Sequence, residues 1–270
     1  MALVFASICP HPPIIIPTIG RTADLKQVSK TIKGMKKLAE KFAEVRPVTV
    51  LVISPHFPLD FQNFTISNSP TLAGNFYHFG DFETELIFKN DLGLVEKIKK
   101  EAEKEKIPLK ILKIKELDHG VLVPLFYLLK KHPDVRVVPM SFSFLDIKTH
   151  FKFGKTISSV IKSYIFHDRE KCDIGIVASG DLSHRLSPDA PAGFSPRGQE
   201  FDEKLVKLLE KKDVKGILNL DPDLIEEAGE CGYRSIVILL GALNGLEWKP
   251  EILSYEGPFG VGYLVANFKL

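Results

Sequence analysis

Short β-branched and aliphatic runs alternate along the chain with longer stretches rich in Lys and Glu, and the two kinds of segment carry different periods. Strands are expected at Ala2 to Ile8, Val48 to Ser54, Phe64 to Ser67, Leu109 to Ile114, Val135 to Ser141, Ile174 to Ser179 and Tyr263 to Phe268. Several are continuously apolar, as strands covered on both faces are. Between them, Asp24 to Glu44, Leu92 to Glu105, Val121 to Lys131, Ile147 to Tyr164, Gly198 to Glu210 and Arg234 to Asn244 place apolar residues three and four apart, the spacing of helices with one buried face. Asp91 before Leu92 and the Asp-Pro-Asp-Leu run from Asp221 read as helix N-caps, and Gly241 to Gly245 marks a helix end. The alternation predicts an α/β fold, a largely parallel central sheet flanked by helices, with its active site at the carboxyl ends of the strands. No long Ser/Gly/Pro linker, low-complexity tract or whole-domain repeat interrupts it, so residues 1–270 are expected to form one domain.

Composition narrows the partners. Hydrophobic residues at 44% and charged residues at 26% are those of a folded globular chain. Thirty-six Lys and Arg against 34 Asp and Glu leave a net charge of +2, too little for a sequence-independent grip on phosphate backbones, so nucleic acid is not an expected partner. Cys9, Cys172 and Cys231 are odd in number, widely spaced and without a CxxC pair, which fits a reducing compartment. The apolar N-terminus lacks a positive n-region and is interrupted by Pro10-His11-Pro12-Pro13, so it reads as a buried strand and not a signal peptide. No apolar run reaches the length of a membrane span. A cytoplasmic location is expected, and a homo-oligomer is compatible with this surface.

The chemistry concentrates where strands end. Ile8-Cys9-Pro10-His11-Pro12-Pro13 and Ile53-Ser54-Pro55-His56-Phe57-Pro58 share the form Ile-x-Pro-His-x-Pro directly after a strand. Proline fixes φ and biases its predecessor to extended backbone, so each histidine is held rigidly in a non-helical turn. Two such turns are best explained by a shared metal. A third strand runs into Gly180-Asp181-Leu182-Ser183-His184, where a carboxylate beside a histidine suits general acid/base work. His119 lies in Leu117-Asp118-His119-Gly120 before a helix. His78, His132, His150 and His167 stand in polar or Lys-rich surroundings and are expected at the surface. For a third metal ligand, the segment Glu226 to Arg234 offers both Glu230 and Cys231. With a carboxylate, two histidines suit non-haem Fe(II) and leave open positions for substrate and O2; with a thiolate, the preference moves toward zinc or copper. No Gly-x-Gly-x-x-Gly or Walker loop is present.

Taken in order, CPHPP with His11, SPH with His56, DHG with His119, SGDLSH with Asp181 and His184, and ECGYRSIVILLGAL around Cys231 resemble the class III extradiol ring-cleavage dioxygenase superfamily, in particular its Memo-type branch. The resemblance implies that His11 and His56 hold the metal, that His184 is the catalytic acid/base with Asp181 beside it, and that His119 contacts substrate or oxygen. It further implies Fe(II), with zinc or copper as alternatives, and a catechol-like aromatic plus O2 as partners. The Memo-type branch carries a cysteine at the third-ligand position, as Cys231 stands here, whereas the ring-cleaving members carry a glutamate, a role Glu230 fills if the register shifts by one. Three functions follow: ring cleavage, Memo-type metal binding without ring cleavage, or a zinc hydrolase.

Overall fold

The computed structural model describes residues 3–167 and 173–270. Ala2, Cys172 and the side chain of His167 lie outside the described residues. In chain order the elements are β1 (Leu3–Cys9), α1 (Thr22–Gln27), α2 (Ser29–Val45), β2 (Thr49–Ile53), β3 (Phe64–Ser67), β4 (Thr71–Phe76), β5 (Asp81–Lys89) and α3 (Leu92–Lys104). They continue with β6 (Leu109–Leu112), α4 (His119–Leu128), β7 (Arg136–Ser141), α5 (Ile147–His167), β8 (Ile174–Ser179), α6 (Pro196–Glu210), α7 (Val214–Leu218), α8 (Pro222–Ala228), α9 (Tyr233–Ala242), β9 (Lys249–Glu256) and β10 (Tyr263–Lys269).

Eight strands form one sheet in the order β6-β3-β7-β2-β8-β1-β10-β9. Its centre, β7-β2-β8-β1, is parallel throughout, with helices in the connections that lead from β1 to β2, from β2 to β7 and from β7 to β8. β10 joins β1 antiparallel, and β9 and β10 form an antiparallel hairpin. The expected α/β architecture is present, as one mixed sheet with a parallel core. Three strands were not anticipated. β9 is a half-buried edge whose Pro250 and charged residues hide its period, and β4 and β5 form a separate two-stranded sheet, closed through Gly80 at φ 86. The single helix expected over Asp24 to Glu44 is two, α1 and α2, meeting at Val28.

Strand alternation divides the core. In β2, Leu51 and Ile53 face one layer while Val50 and Val52 face the other. The first layer packs Ile98 of α3, Phe153 and Ile157 of α5, Phe201 of α6 and Ile236 of α9; the second packs Met35, Leu38 and Phe42 of α2 with Val121 and Leu125 of α4. Each such side chain, fully buried, contributes about 1.5–3 kcal/mol. Asp91 caps α3 by accepting the Leu94 N–H at 3.0 Å, and Asp221 caps α8. His150 corrects the sequence expectation. It is fully buried, its ring nitrogens 2.9 Å and 3.0 Å from the carbonyls of Asp146 and Ser143. It shares the inner face of α5 with Phe153 and Ile157, three and seven residues on, and that periodicity overrides its Lys-rich neighbours. Among the described residues no helix is long and apolar enough to cross a membrane.

Candidate metal centre

β8 lies between β2 and β1, and Ile53 and Ile8 both stand opposite Ala178. The two Ile-x-Pro-His turns therefore begin at one level on either side of the central strand, so their histidines converge over its end. His56 Nε2 is 3.1 Å from His11 Nε2, although 45 positions separate them in the chain. His119, the first residue of α4, completes a group in which His11, His56 and His119 each bring a ring nitrogen within 4.8 Å of the others.

Hydrogen bonds decide which nitrogens face this group. Ser179 donates its hydroxyl to the Gly120 carbonyl at 2.5 Å. With its one proton so used, it can only accept from His11 Nδ1, 3.0 Å away. His11 therefore carries its proton on Nδ1 and presents a bare Nε2 to His56. The His11 backbone N–H donates to Asp181 Oδ1 at 3.0 Å. His184 likewise donates from Nδ1 to the Gly229 carbonyl at 2.8 Å, which leaves its Nε2 bare, 4.0 Å from Asp181 Oδ2.

Cys231 touches one member of the cluster, His11, and Glu230 turns to the start of α9. The Cys231 sulfur is 3.7 Å from His11 Nε2 and accepts the Asp181 N–H at 3.2 Å. This approach needs bare backbone on both sides, since a Cβ on Gly180 would fall 2.1 Å from the Cα of Gly232. Glu230 instead accepts the Tyr233 N–H at 2.5 Å and lies 3.9 Å from Arg234, so its carboxylate serves the start of α9.

Electrostatics favour a cation. Burial first, then His56, His119 and His184, lowers the His11 pKa well below the ordinary value. Burial and His56 take His119 to about 4, and burial also lowers His56 and His184. Each of these shifts favours the neutral ring, the form that coordinates metal. Burial, then the carboxyls of Asp181 and Glu230, pushes the Cys231 thiol up, and burial raises Asp181 to about 7. A divalent cation bound here would favour the ionised forms of both groups. The donor types suit such an ion, with two imidazole Nε2 atoms 3.1 Å apart and a thiol 3.7 Å from one of them.

Several contributors were not anticipated. Ser54 accepts the His56 N–H at 3.1 Å and donates to Asp118 Oδ1 at 2.7 Å, and Asp118 caps α4 beside His119. Their positions beside the two histidines in Ser-Pro-His and Asp-His-Gly were a usable signal. Ser179 was seen only as a strand end. Phe79 had no signal: it sits on the connection between β4 and β5, β4 docks beside Asp118 through the Leu117 N–H to Ala73 carbonyl bond, and the Phe79 ring lies 5.3 Å from that of His119. His78 is exposed and His132 half-buried, away from the cluster.

Comparisons with known proteins bear on family and fold. The chain is 34% identical over 269 residues to Protein CA_C1420 of Clostridium acetobutylicum, an alignment covering 96% of this chain and 56% of that protein, so it spans about half the length of this curated relative. The crystal structure of uncharacterized protein JW3007 from Escherichia coli K12 superposes with a TM-score of 0.67 at 19% identity, covering 98% of this chain and 99% of that one, which shows a shared fold. Residues 5–266 match the family described as the catalytic LigB subunit of aromatic ring-opening dioxygenase, and with the match running over nearly its whole length the chain belongs to that family.

Proposed function

We propose that this protein is a metal-dependent oxidoreductase of the dioxygenase type that opens a small catechol-like aromatic with O2, with His11, His56 and Cys231 holding the ion. The observation that carries the reading is the 3.1 Å approach of two imidazole Nε2 atoms, with the His11 lone pair turned inward. When bound, Fe(II) would gather substrate and O2 at one place and pass electrons between them. The chain's own residues do the rest. His184 takes a proton from a substrate hydroxyl at its bare Nε2, while the Gly229 carbonyl holds the Nδ1 proton and steadies the imidazolium. Asp181, buried and 4.0 Å away, stabilises that charge and returns the ring to its starting orientation. His119 contacts the substrate oxygens, and Phe79 walls the aromatic ring from water.

A second reading rests on Cys231. A thiolate in place of a carboxylate suits copper or zinc, which favours a Memo-type metal-holding role without ring cleavage, or water activation by zinc. Metal analysis of protein purified without added metal, followed by Fe(II) and a panel of catechols under air, separates these. A yellow ring-opened product supports the first reading. A tightly bound ion with a silent panel supports the second, and protein that takes up no metal contradicts both.

A further inference from the structure

α4 is buried along most of its length and carries a proline at its sixth residue, Pro124. A proline there has no N–H to give the carbonyl four residues earlier, that of Gly120, and its ring presses that carbonyl off the helix axis. Gly120 finds its donor outside the helix, in the hydroxyl of Ser179 at the end of β8. Ser179 is fully buried, and its hydroxyl is held by the Gly120 carbonyl. Once that single proton points at Gly120, the oxygen facing His11 Nδ1 at 3.0 Å is an acceptor.

We infer that Pro124 is a positioning residue for His11: by withholding a helix hydrogen bond from Gly120 it fixes the direction of the Ser179 hydroxyl, and through it the tautomer that presents the His11 Nε2 lone pair to His56 and Cys231. A residue with an N–H at position 124 lets the helix take up the Gly120 carbonyl. Competition for that carbonyl weakens its hold on the Ser179 hydroxyl, which then rotates in part of the population and donates to His11 Nδ1, moving the ring proton to Nε2, the face an ion would use. The proline thus weakens the helix and organises the site. The inference rests on the metal-site reading for its purpose, whereas the tautomer itself is measurable without any ion.

The test is 15N NMR of histidine-labelled, metal-free protein at neutral pH, with the His11 signals assigned by their loss in His11→Asn, alongside Co(II) titration followed by absorbance. Wild type is expected to show His11 protonated on Nδ1. Pro124→Ala, which installs a better helix former, is expected to keep or raise thermal stability, populate the Nε2-protonated form and lose roughly tenfold in Co(II) affinity. Ser179→Ala is expected to do the same to the ring, and Ser179→Thr, which keeps the hydroxyl, to resemble wild type. A proline that serves only the helix would change stability alone. If Pro124→Ala leaves both tautomer and Co(II) affinity unchanged, or if Ser179→Ala shifts the tautomer while Pro124→Ala does not, the inference is overturned. If wild type takes up no Co(II), the metal reading fails, and the tautomer comparison still decides the role of Pro124.

Discussion

Glu230 and Cys231 are chain neighbours that serve different structures: the Glu230 carboxylate accepts the Tyr233 N–H at 2.5 Å, while the Cys231 sulfur lies 3.7 Å from His11 Nε2. One residue of register separates a carboxylate that serves a helix start from a thiol that faces His11. Cys231→Ala is accordingly expected to lower the bound-metal stoichiometry, whereas Glu230→Gln should retain the ion and lose about 1 kcal/mol of stability from the weakened start of α9. Elemental analysis with urea unfolding of both variants checks the pair. Metal loss in Glu230→Gln with retention in Cys231→Ala would reverse the donor assignment.

Phe79 lies beside His119 and is 39% exposed, so it has ring surface to offer a ligand. Phe79→Ala is expected to weaken binding of 4-nitrocatechol to the metal-loaded protein roughly three- to tenfold, the size of one aromatic contact, and to leave acetohydroxamic acid, an aliphatic chelator, unaffected. Optical titration measures both. An equal loss for the two ligands would mean that the ring shapes the metal site and not the substrate.

The acid end of the stability profile involves Asp81, which anchors the connection carrying Phe79 to the loop after His11. Burial alone would raise its pKa, yet the hydroxyls of Thr18 and Thr84 and the N–H groups of Thr84 and Glu83 together hold it at about 2. A carboxylate with a depressed folded-state pKa contributes its full stability above the unfolded value near 3.9 and loses it as pH falls through about 2. The urea midpoint of wild type should fall between pH 4 and pH 2 more steeply than that of Asp81→Asn. Parallel declines would remove Asp81 from the acid response.

His184 is held by the Gly229 carbonyl and faces Asp181, outside the set of donors nearest His11. His184→Ala should therefore retain the ion and lose about 10²- to 10⁴-fold in turnover, the contribution of a positioned acid/base. Steady-state kinetics on whichever catechol the wild type opens, with metal content measured on the same samples, checks this. Unchanged turnover would return proton transfer to solvent or to His119.

The legible parts of this protein were those written in local pattern. The parallel strands followed from short continuous apolar runs and the long helices from a period of 3.6, and the repeated Ile-x-Pro-His announced a shared site because proline leaves a histidine little freedom of direction. What stayed hidden depended on partners distant in sequence. Whether Glu230 or Cys231 turns inward is decided by the contact of Gly180 with Gly232, and the tautomer of His11 by Ser179 and Gly120, none of which a linear reading joins. β4 and β5 escape a search for continuous apolar runs, because β4 includes Gly74 and Asn75 and β5 includes Asp81, Glu83 and Glu85, and Phe79 on their connection escapes with them. His150 was misplaced because its neighbours in sequence are polar while its neighbours along the helix face are not.

The most direct test of the central claim is X-ray absorption at the metal edge of protein loaded with one equivalent of Fe(II) or Zn(II). The account predicts at least two imidazole nitrogens at about 2.0–2.1 Å and one sulfur at about 2.3 Å, with the sulfur shell gone in Cys231→Ala and the imidazole signal reduced in His11→Ala and His56→Ala. A first shell of oxygens alone, unchanged by those three substitutions, would contradict it.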